Sequence, residues 1–326
     1  ILFKMIIKKK SHSIQLSVIV PFYNISKNSF LKFHNSLINF FKFDDIEIIY
    51  VDDGSSSNLY DFITKRINNF KNIHFYRRKK NKGPGIARNL GVSKSKGTYI
   101  LFVDIDDTVT IKNSLKSLSL LNKLNSNILL LKKIIRNKAN QSKKTIISSN
   151  KKKYIYNFFL KSQDFEIIAI LIRRSFLIEK KIRFSNGIYE DIFFKLKLFL
   201  INKKKIKKFR YIKYIKEKKL SSITNRRLEK KNIIFKERVW TQIFNYLKFK
   251  YPNRINKKDL YDLYMNRVRS ELYNNYVLIN KTNYRANYKR QMINFLLQYY
   301  KSKVHKSFEI KTEKDRLVHK LLTNEI

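Results

Sequence analysis

The chain has 326 residues, with 72 Lys and Arg against 24 Asp and Glu, which gives a formal net charge of +48. Its hydrophobic content of 43% argues against global disorder, and its length suits one large domain with an appendage or two modest domains. The absence of cysteine excludes disulfides and thiolate metal sites. The five histidines have no familiar metal-ligand spacing, which argues against a zinc enzyme.

The first part of the chain predicts strands and helices in alternation. Strands are predicted at residues 16–20, 46–51, 73–76 and 99–103, and helices at 29–41, at 60–70 and after the glycine loop at 83–85. This alternation is typical of a parallel α/β sheet, whose ligands bind at the carboxyl ends of the strands. We therefore expect the polar clusters that follow these strands to lie at one edge of a sheet.

No glycine occurs after Gly187, and the remainder of the chain predicts helices at 192–200, 233–247, 260–279 and 288–300. We expect the helices from residue 233 onward to form an appendage that packs on the rest of the protein. The alternative is that their Lys, Arg and Tyr faces dock on an anionic membrane surface. No apolar run approaches the roughly 20 residues that span a bilayer, which predicts a soluble or peripheral protein.

Three carboxylates, Asp104, Asp106 and Asp107, directly follow the fourth predicted strand. Close carboxylates repel one another unless a cation lies between them, so this edge predicts a divalent-ion site that could face a diphosphate. The loop at Gly83 begins like a dinucleotide fingerprint, but Arg88 stands where that motif requires its last glycine. The dinucleotide interpretation is therefore rejected.

Further motifs accompany the acidic cluster in a fixed order. They are Ser17-Val18-Ile19-Val20-Pro21-Phe22-Tyr23-Asn24, Val51-Asp52-Asp53-Gly54-Ser55, Asn81-x-Gly83-x-x-x-Ala87-Arg88-Asn89-x-Gly91, Ile182-Arg183-Phe184, Tyr189-Glu190-Asp191 and Leu220-Ser221-Ser222-Ile223-Thr224. Over roughly residues 15 to 227 the ordered set resembles the family 2 glycosyltransferases. The resemblance implies a GT-A fold, an α/β Rossmann-like mixed and mostly parallel sheet flanked by helices. It divides the chain into an N-terminal extension (1–13), a catalytic domain (14–227) and a basic helical C-terminal region (228–326).

The resemblance also implies the reaction, which is transfer of a sugar from a nucleotide-sugar, here a UDP-sugar, with inversion at the anomeric carbon. Nucleotide-sugar contacts are expected at Pro21, Tyr23, Asn24, Asp52, Asp53, Lys82, Gly83, Arg88, Asp104, Ile105 and Asp106. Asp104 and Asp106 would hold Mn²⁺ or Mg²⁺, with Asp107 supporting that edge. Asp191 would be the general base, with Glu190 beside it. From the sequence alone, these two acids also fit a helix N-terminus that they stabilise through its dipole.

The resemblance suggests as acceptor a glycan or lipid-linked glycan of a bacterial surface, such as lipooligosaccharide or capsule, and a cytoplasmic enzyme that could contact the inner face of the membrane. Two alternatives remain at this point. The acidic motif also fits a haloacid dehalogenase-type phosphatase, with Asp104 as nucleophile and Asp106 as acid/base. The lysine run at 203–208 and the Tyr-rich tail fit a nucleic-acid-binding protein, although no recognised nucleic-acid motif accompanies them and no nucleic acid is expected.

Overall fold

The structure is a computed structural model that describes residues 13–111, 119–121, 123–136, 151–160, 167–187, 189–217, 228–253, 255–282, 284–303 and 312–323. The strands are β1 (Leu16–Phe22), β2 (Ile46–Asp52), β3 (Ile73–Arg77), β4 (Tyr99–Phe102), β5 (Thr108–Ile111), β6 (Ile128–Arg136), β7 (Ile170–Arg173) and β8 (Lys207–Glu217). The helices are α1 (Lys27–Ser36), α2 (Ser57–Ile67), α3 (Pro84–Lys94), α4 (Lys151–Leu160), α5 (Arg174–Glu179), α6 (Glu190–Ile201), α7 (Lys230–Lys250), α8 (Lys257–Lys281), α9 (Ala286–Lys301) and α10 (Glu313–Thr323).

The strands form one mixed sheet in the order β3-β2-β1-β4-β7-β6-β8-β5. The four predicted strands, β1 to β4, pair in parallel, and β6 pairs with β8 in parallel. The β4–β7, β6–β7 and β5–β8 pairings are antiparallel. A mixed α/β sheet with helices is therefore confirmed, and its parallel half carries the predicted polar clusters.

The predicted element ends differ from the observed ones where local contacts decide. Strand β1 continues through Pro21 to Phe22, beyond the predicted end. Past Ile19 it pairs only with β2, so the N–H that proline lacks is not needed by a strand on the other side. Helix α1 begins at Lys27 because the Ser26 hydroxyl accepts a hydrogen bond from the Ser29 amide at 3.1 Å.

The chain divides into two compact units, each of which is described by itself. The sheet unit comprises the described residues within Ile1–Lys144, Glu166–Asn186 and Lys197–Lys219, and the helical unit those within Thr145–Phe165, Gly187–Leu196 and Leu220–Ile326. The predicted domain boundaries after residues 13 and 227 stay predictions.

Each unit has its own apolar core. In the sheet unit, buried side chains of β1, β2 and β4 pack with those of α1 and α2. In the helical unit, apolar residues of α7 to α10 form a second cluster, and Trp240 of α7 packs against Phe158 and Phe159 of α4 with ring centroids 5.8 and 5.6 Å away. Within the described ranges, no helix has the length and apolar character that a membrane crossing requires.

Candidate active site

The parallel strands bring the predicted clusters to one edge of the sheet. Phe22 at the end of β1 lies opposite Asp52 of β2, which in turn lies opposite Arg77 of β3. On the other side of β1, the Val103 amide just after β4 donates to the Ile19 carbonyl at 3.0 Å. The segments that follow β1, β2 and β4 therefore start at the carboxyl edge of a parallel sheet, where ligands bind in open α/β folds.

Asp52 and Asp53, two of the predicted nucleotide-sugar contacts, are buried and organise the loops around them. Asp52 accepts from the Ser55 amide at 2.8 Å and forms an ion pair with Arg77 at 3.4 Å. Its neighbour Asp53 forms an ion pair with Arg78 at 3.0 Å. Each carboxylate is thus matched by an arginine of the β3 edge.

Asp53 also fixes the glycine loop that precedes α3. Its Oδ2 accepts from the amides of Lys82 and Gly83 at 3.1 and 2.7 Å. Gly83 has a φ of 91°, a conformation that favours glycine, and in it the amide points at the carboxylate. Burial raises the pKa of Asp53 above its ordinary value, although the two amides and Arg78 oppose the shift. The predicted nucleotide-facing residues Lys82 and Gly83 are therefore held through their backbone.

The predicted residues after β1 lie in a loop that is bonded to the loop after β2. The Asn24 amide donates to the Ser55 hydroxyl at 2.8 Å, and the Ser56 amide donates to Asn24 Oδ1 at 3.3 Å. Asn24 has a positive φ of 44°, which asparagine tolerates better than most residues. Beside it, the ring of Tyr23 is 47% exposed, and Pro21 is buried in β1. An exposed aromatic face at a strand end is suited to stacking on a nucleobase.

Arg88 joins helix α3 to the acidic motif. Its Nη2 donates to Asp104 Oδ1 at 2.8 Å, and its guanidinium lies 5.4 Å from the ring centroid of Phe184. Phe184 is held by Asn89, whose side chain accepts from the Phe184 amide at 3.0 Å and donates to its carbonyl at 2.9 Å. A planar guanidinium that both stacks and bonds a carboxylate has its orientation fixed in two ways. The geometry therefore positions the Asp104 carboxylate from α3.

The Asp-x-Asp motif alternates between solvent and core. Asp104 is partly exposed and Asp106 exposed, whereas Ile105 between them packs against the core of the sheet unit. Asp107 is buried and accepts from the Tyr214 hydroxyl at 2.6 Å and from the Glu217 amide at 3.0 Å. The same Tyr214 hydroxyl accepts from the Asp104 amide at 3.3 Å. Strand β8 thus holds the acidic turn from the far half of the sheet.

Asp107 is held differently from Asp52 and Asp53, by a hydroxyl and a backbone amide instead of an arginine. Burial, together with the negative charges of Asp104 and Asp106, raises the pKa of Asp107 to about 7, against the lowering effect of Tyr214 and the Glu217 amide. Carboxylate oxygens of this kind are the ligands that Mg²⁺ and Mn²⁺ prefer, so the donor set fits either ion. Across the described residues, no cluster of three or more His, Asp or Glu has the arrangement of a metal site, so the fit concerns the Asp104–Asp106 pair.

Glu190 and Asp191, the predicted catalytic acids, form the first turn of α6 in the helical unit. Glu190 is buried and Asp191 is half-buried. The preceding residue, Tyr189, has a φ of 65°, which is uncommon for an aromatic residue. This position agrees with a helix-dipole role as well as with a catalytic one. The Leu220–Thr224 motif lies outside the described residues.

Sequence reasoning missed several side chains of this edge. Arg77 and Arg78 belong to a basic run at 77–80 and gave no local sign of their acidic partners. Phe184 belongs to the Ile182-Arg183-Phe184 motif, but its sequence position predicts no role for it. Tyr214 lies in a strand whose partner turn is 107 positions away, so only the fold brings it to Asp107.

Comparison with known proteins adds a family to this geometry. Residues 17–183 match the family model described as Glycosyl transferase family 2. An uncharacterized glycosyltransferase of Haemophilus influenzae is 28% identical over 188 residues, which cover 55% of this chain and 69% of the relative. A poly(ribitol-phosphate) beta-glucosyltransferase of Bacillus spizizenii is 36% identical over 97 residues, which cover 29% of this chain and only 15% of the relative.

Among solved structures, residues 1–349 of TarS from S. aureus, in complex with UDP-GlcNAc, are similar to this chain with a TM-score of 0.61. The match covers 95% of this chain and 88% of that chain at 20% identity. At this identity the likeness establishes the fold, and the ligand named with that structure remains a property of TarS.

Proposed function

Because this chain belongs to glycosyl transferase family 2 and is a glycosyltransferase, we propose that it moves a sugar from a UDP-sugar to a glycan with inversion. The observation that carries the proposal is the acidic turn at the carboxyl edge of the sheet, where Arg88 orients Asp104 and where burial, together with the charges of Asp104 and Asp106, raises the pKa of Asp107. Membership of this family sets the phosphatase alternative aside. A phosphatase would also have no use for the clusters around Asp53 and Arg88.

In the proposed reaction, Asp191 accepts the proton of the acceptor hydroxyl as that oxygen attacks the anomeric carbon, and the bond from that carbon to the diphosphate breaks. Glu190 supports the base from the adjacent position. Asp104 and Asp106 would hold a divalent ion, Mn²⁺ or Mg²⁺, which when bound would supply positive charge to the leaving diphosphate. Asp107 and Tyr214 hold the turn that carries these ligands, and Arg88 orients Asp104.

The nucleoside is proposed to lie between the loops that follow β1 and β2. The exposed ring of Tyr23 would face the base, with Pro21 and Asn24 shaping the loop. Asp52 and Asp53 would border uracil and ribose, while Lys82, Gly83 and Arg88 would face the nucleotide from the start of α3. Ile105 anchors the Asp-x-Asp turn in the core.

The test is a calorimetric screen of UDP, GDP, CMP and dTDP against the full chain with and without Mn²⁺. We expect UDP to bind with Mn²⁺ and to lose about tenfold or more of its affinity in Asp104→Ala and Asp106→Ala. Asp61→Ala is the matched control, because Asp61 is an exposed acid of α2. The affinity of this variant for UDP should stay unchanged. UDP binding that ignores both Mn²⁺ and Asp104→Ala would contradict the proposal.

We propose an anionic surface glycan as the acceptor class. The net charge of +48 favours a polyanion, and one relative is named for poly(ribitol-phosphate). Lipooligosaccharide and capsule belong to the same broad class of bacterial surface glycans. Salt-sensitive binding of poly(ribitol phosphate), set against neutral dextran, tests this point. Equal binding of the two polymers would remove the argument from charge.

We also propose peripheral contact with an anionic membrane from the cytoplasmic side. At the end of α7, the Phe249 side chain is 74% exposed between the exposed Lys248 and Lys250. An exposed aromatic ring flanked by lysines is typical of an interfacial anchor. Phe249→Ser should weaken co-sedimentation with phosphatidylserine vesicles, whereas Leu278→Ser, at another exposed apolar position, should not. No co-sedimentation of the full chain would overturn the membrane proposal.

A further inference from the structure

Helix α7 contacts the segment that carries the proposed catalytic acids at three places within the helical unit. The Phe235 ring lies 3.5 Å from where a Cβ on Gly187 would stand. The Lys236 ammonium lies 5.5 Å from the ring centroid of Tyr189, and the rings of Tyr246 and Phe193 pack edge to face at 5.3 Å. The backbone on both sides of Glu190 and Asp191 is therefore packed against one helix.

Lys236 is itself held by a buried carboxylate of the next helix. Its Nζ lies 2.7 Å from Oε2 of Glu271, which is almost fully buried in α8. Arg267 pairs with the other oxygen of Glu271. A buried carboxylate that is bound by two cations is a rigid anchor, because freeing either cation leaves charge uncompensated in the interior.

The segment that Lys236 contacts needs such support. Gly187 and Tyr189 have φ values of 106° and 65°, so the chain adopts left-handed conformations just before α6 begins. For an aromatic residue this conformation is strained and persists only where surrounding contacts impose it. Burial raises the pKa of the Tyr189 hydroxyl, and the negative charges of Glu271 and Asp191 raise it further. This agrees with the three groups being close together.

We propose that Lys236 and Glu271 are positioning residues that hold Tyr189 and thereby set the direction of the Asp191 carboxylate. The proposal rests on the function given above, in which Asp191 is the base. It gives the C-terminal helices a part in catalysis that is separate from any membrane or acceptor contact. A base displaced by a fraction of its hydrogen-bond distance loses its reaction while substrate binding persists.

The experiment compares Lys236→Met, Lys236→Arg and Lys231→Met by the hydrolytic release of UDP from UDP-glucose and UDP-N-acetylglucosamine, in which water takes the place of the acceptor hydroxyl, receives the sugar and gives its proton to Asp191. We expect Lys236→Met to lower kcat about tenfold or more, with the donor KM and the calorimetric affinity for UDP unchanged. Lys236→Arg should restore turnover, because arginine keeps both the charge for Glu271 and the contact with the ring. Lys231→Met should behave as wild type, because the Lys231 side chain is exposed and pairs with the exposed Glu229.

Further variants separate the possible outcomes. The thermal midpoint of Lys236→Met shows whether its loss of turnover merely follows unfolding. If Asp191→Asn turns over normally, the proposed base is wrong. If Asp191→Asn is inactive but Lys236→Met keeps its turnover, only the positioning inference fails. A loss of UDP affinity in Lys236→Met, or no rescue by Lys236→Arg, would also overturn it. The double variant Asp191→Asn/Lys236→Met should lose nothing beyond Asp191→Asn alone.

Discussion

Two acidic clusters lie at the carboxyl edge of the same sheet, one after β2 and one after β4. They differ in the groups that contact their carboxylates. At the β2 edge, Asp52 and Asp53 have one arginine each, Arg77 and Arg78. At the β4 edge, Asp104 pairs with Arg88, while Asp107 accepts from the neutral Tyr214 hydroxyl and a backbone amide. Only the second cluster contains a carboxylate whose pKa rises to about 7.

The difference separates acids that are neutralised by arginines of the β3 edge from acids that we propose bind a cation. Paired acids at β2 tie loops together and need no outside cation. Three acids lie within four residues after β4, and a bound cation would relieve the repulsion among them. The comparison therefore predicts different responses to neutralising substitutions and to divalent ions at the two edges.

The largest effect should come from pH at Asp107. The folded pKa of about 7 lies above the ordinary value of 3.8, so the folded chain binds more protons in this window and its stability falls as pH rises from about 4 to 7. Three pKa units correspond to about 4 kcal/mol. Urea unfolding of wild type and Asp107→Asn across this range measures it: the difference should grow with pH, with the variant the more stable at pH 8.

A divalent ion should reverse this trend. Mn²⁺ favours ionised carboxylates, so it should raise the thermal midpoint of the wild type more at pH 8 than at pH 5. The Asp104→Ala variant is the control, because it removes a proposed ligand. Equal Mn²⁺ effects in both proteins would argue that the ion binds elsewhere.

At the β2 edge, removing the positively charged partner of a buried acid should lower the stability of the protein. Arg78→Met leaves the buried Asp53 carboxylate without its cation, which we expect to lower the free energy of unfolding by about 3 kcal/mol. Adding Asp53→Asn should recover part of this loss, because the uncompensated charge disappears. Urea unfolding at pH 7 measures both variants. A harmless Arg78→Met would mean that the Lys82 and Gly83 amides alone stabilise Asp53.

Much of the parallel half could be predicted because its signals are local. Strands β1 to β4 are apolar runs that end in polar or glycine-containing segments, and α7 to α9 have helical periodicity. Strands β5, β6 and β7 have no such local signal and are not predicted. Thr108–Ile111 has only four residues and becomes a strand by pairing with β8, with Thr108 opposite Ile215. Such pairing is decided by the fold and not by local sequence.

The same distinction applies to the site. Asp104 and Asp106 are recognisable in sequence because they follow a strand directly, and their proposed role as ligands stays a prediction. The contacts that tune them come from distant positions, as with Tyr214 on β8 and Phe184 beside Arg88. A residue whose role is to hold another has no sequence signature of its own, since its meaning depends on which elements the fold brings together.

A smaller effect is expected from Tyr214→Phe. The change removes the hydroxyl that donates to Asp107 and accepts from the Asp104 amide, at a cost of about 2 kcal/mol. That hydrogen bond lowers the pKa of Asp107, so its loss should raise this pKa further and weaken the variant more at pH 8 than at pH 5. Tyr211→Phe, on the same strand, is the matched control for thermal unfolding. A deficit that is equal at both pH values would contradict the assigned link to Asp107.

The smallest effect tests the stack behind Arg88. Asn89→Ala removes the two hydrogen bonds that fix the Phe184 backbone, and we expect a loss of about 1 kcal/mol because water can reach this partly exposed position. Since Phe184 supports the guanidinium that orients Asp104, the affinity for UDP in the presence of Mn²⁺ should fall further than this small change in stability requires. Ser93→Ala, at an exposed position of the same helix, should change neither quantity. Unchanged UDP affinity in Asn89→Ala would show that Arg88 keeps its direction without the stack, and that the β4 edge depends on the Arg88–Asp104 bond alone.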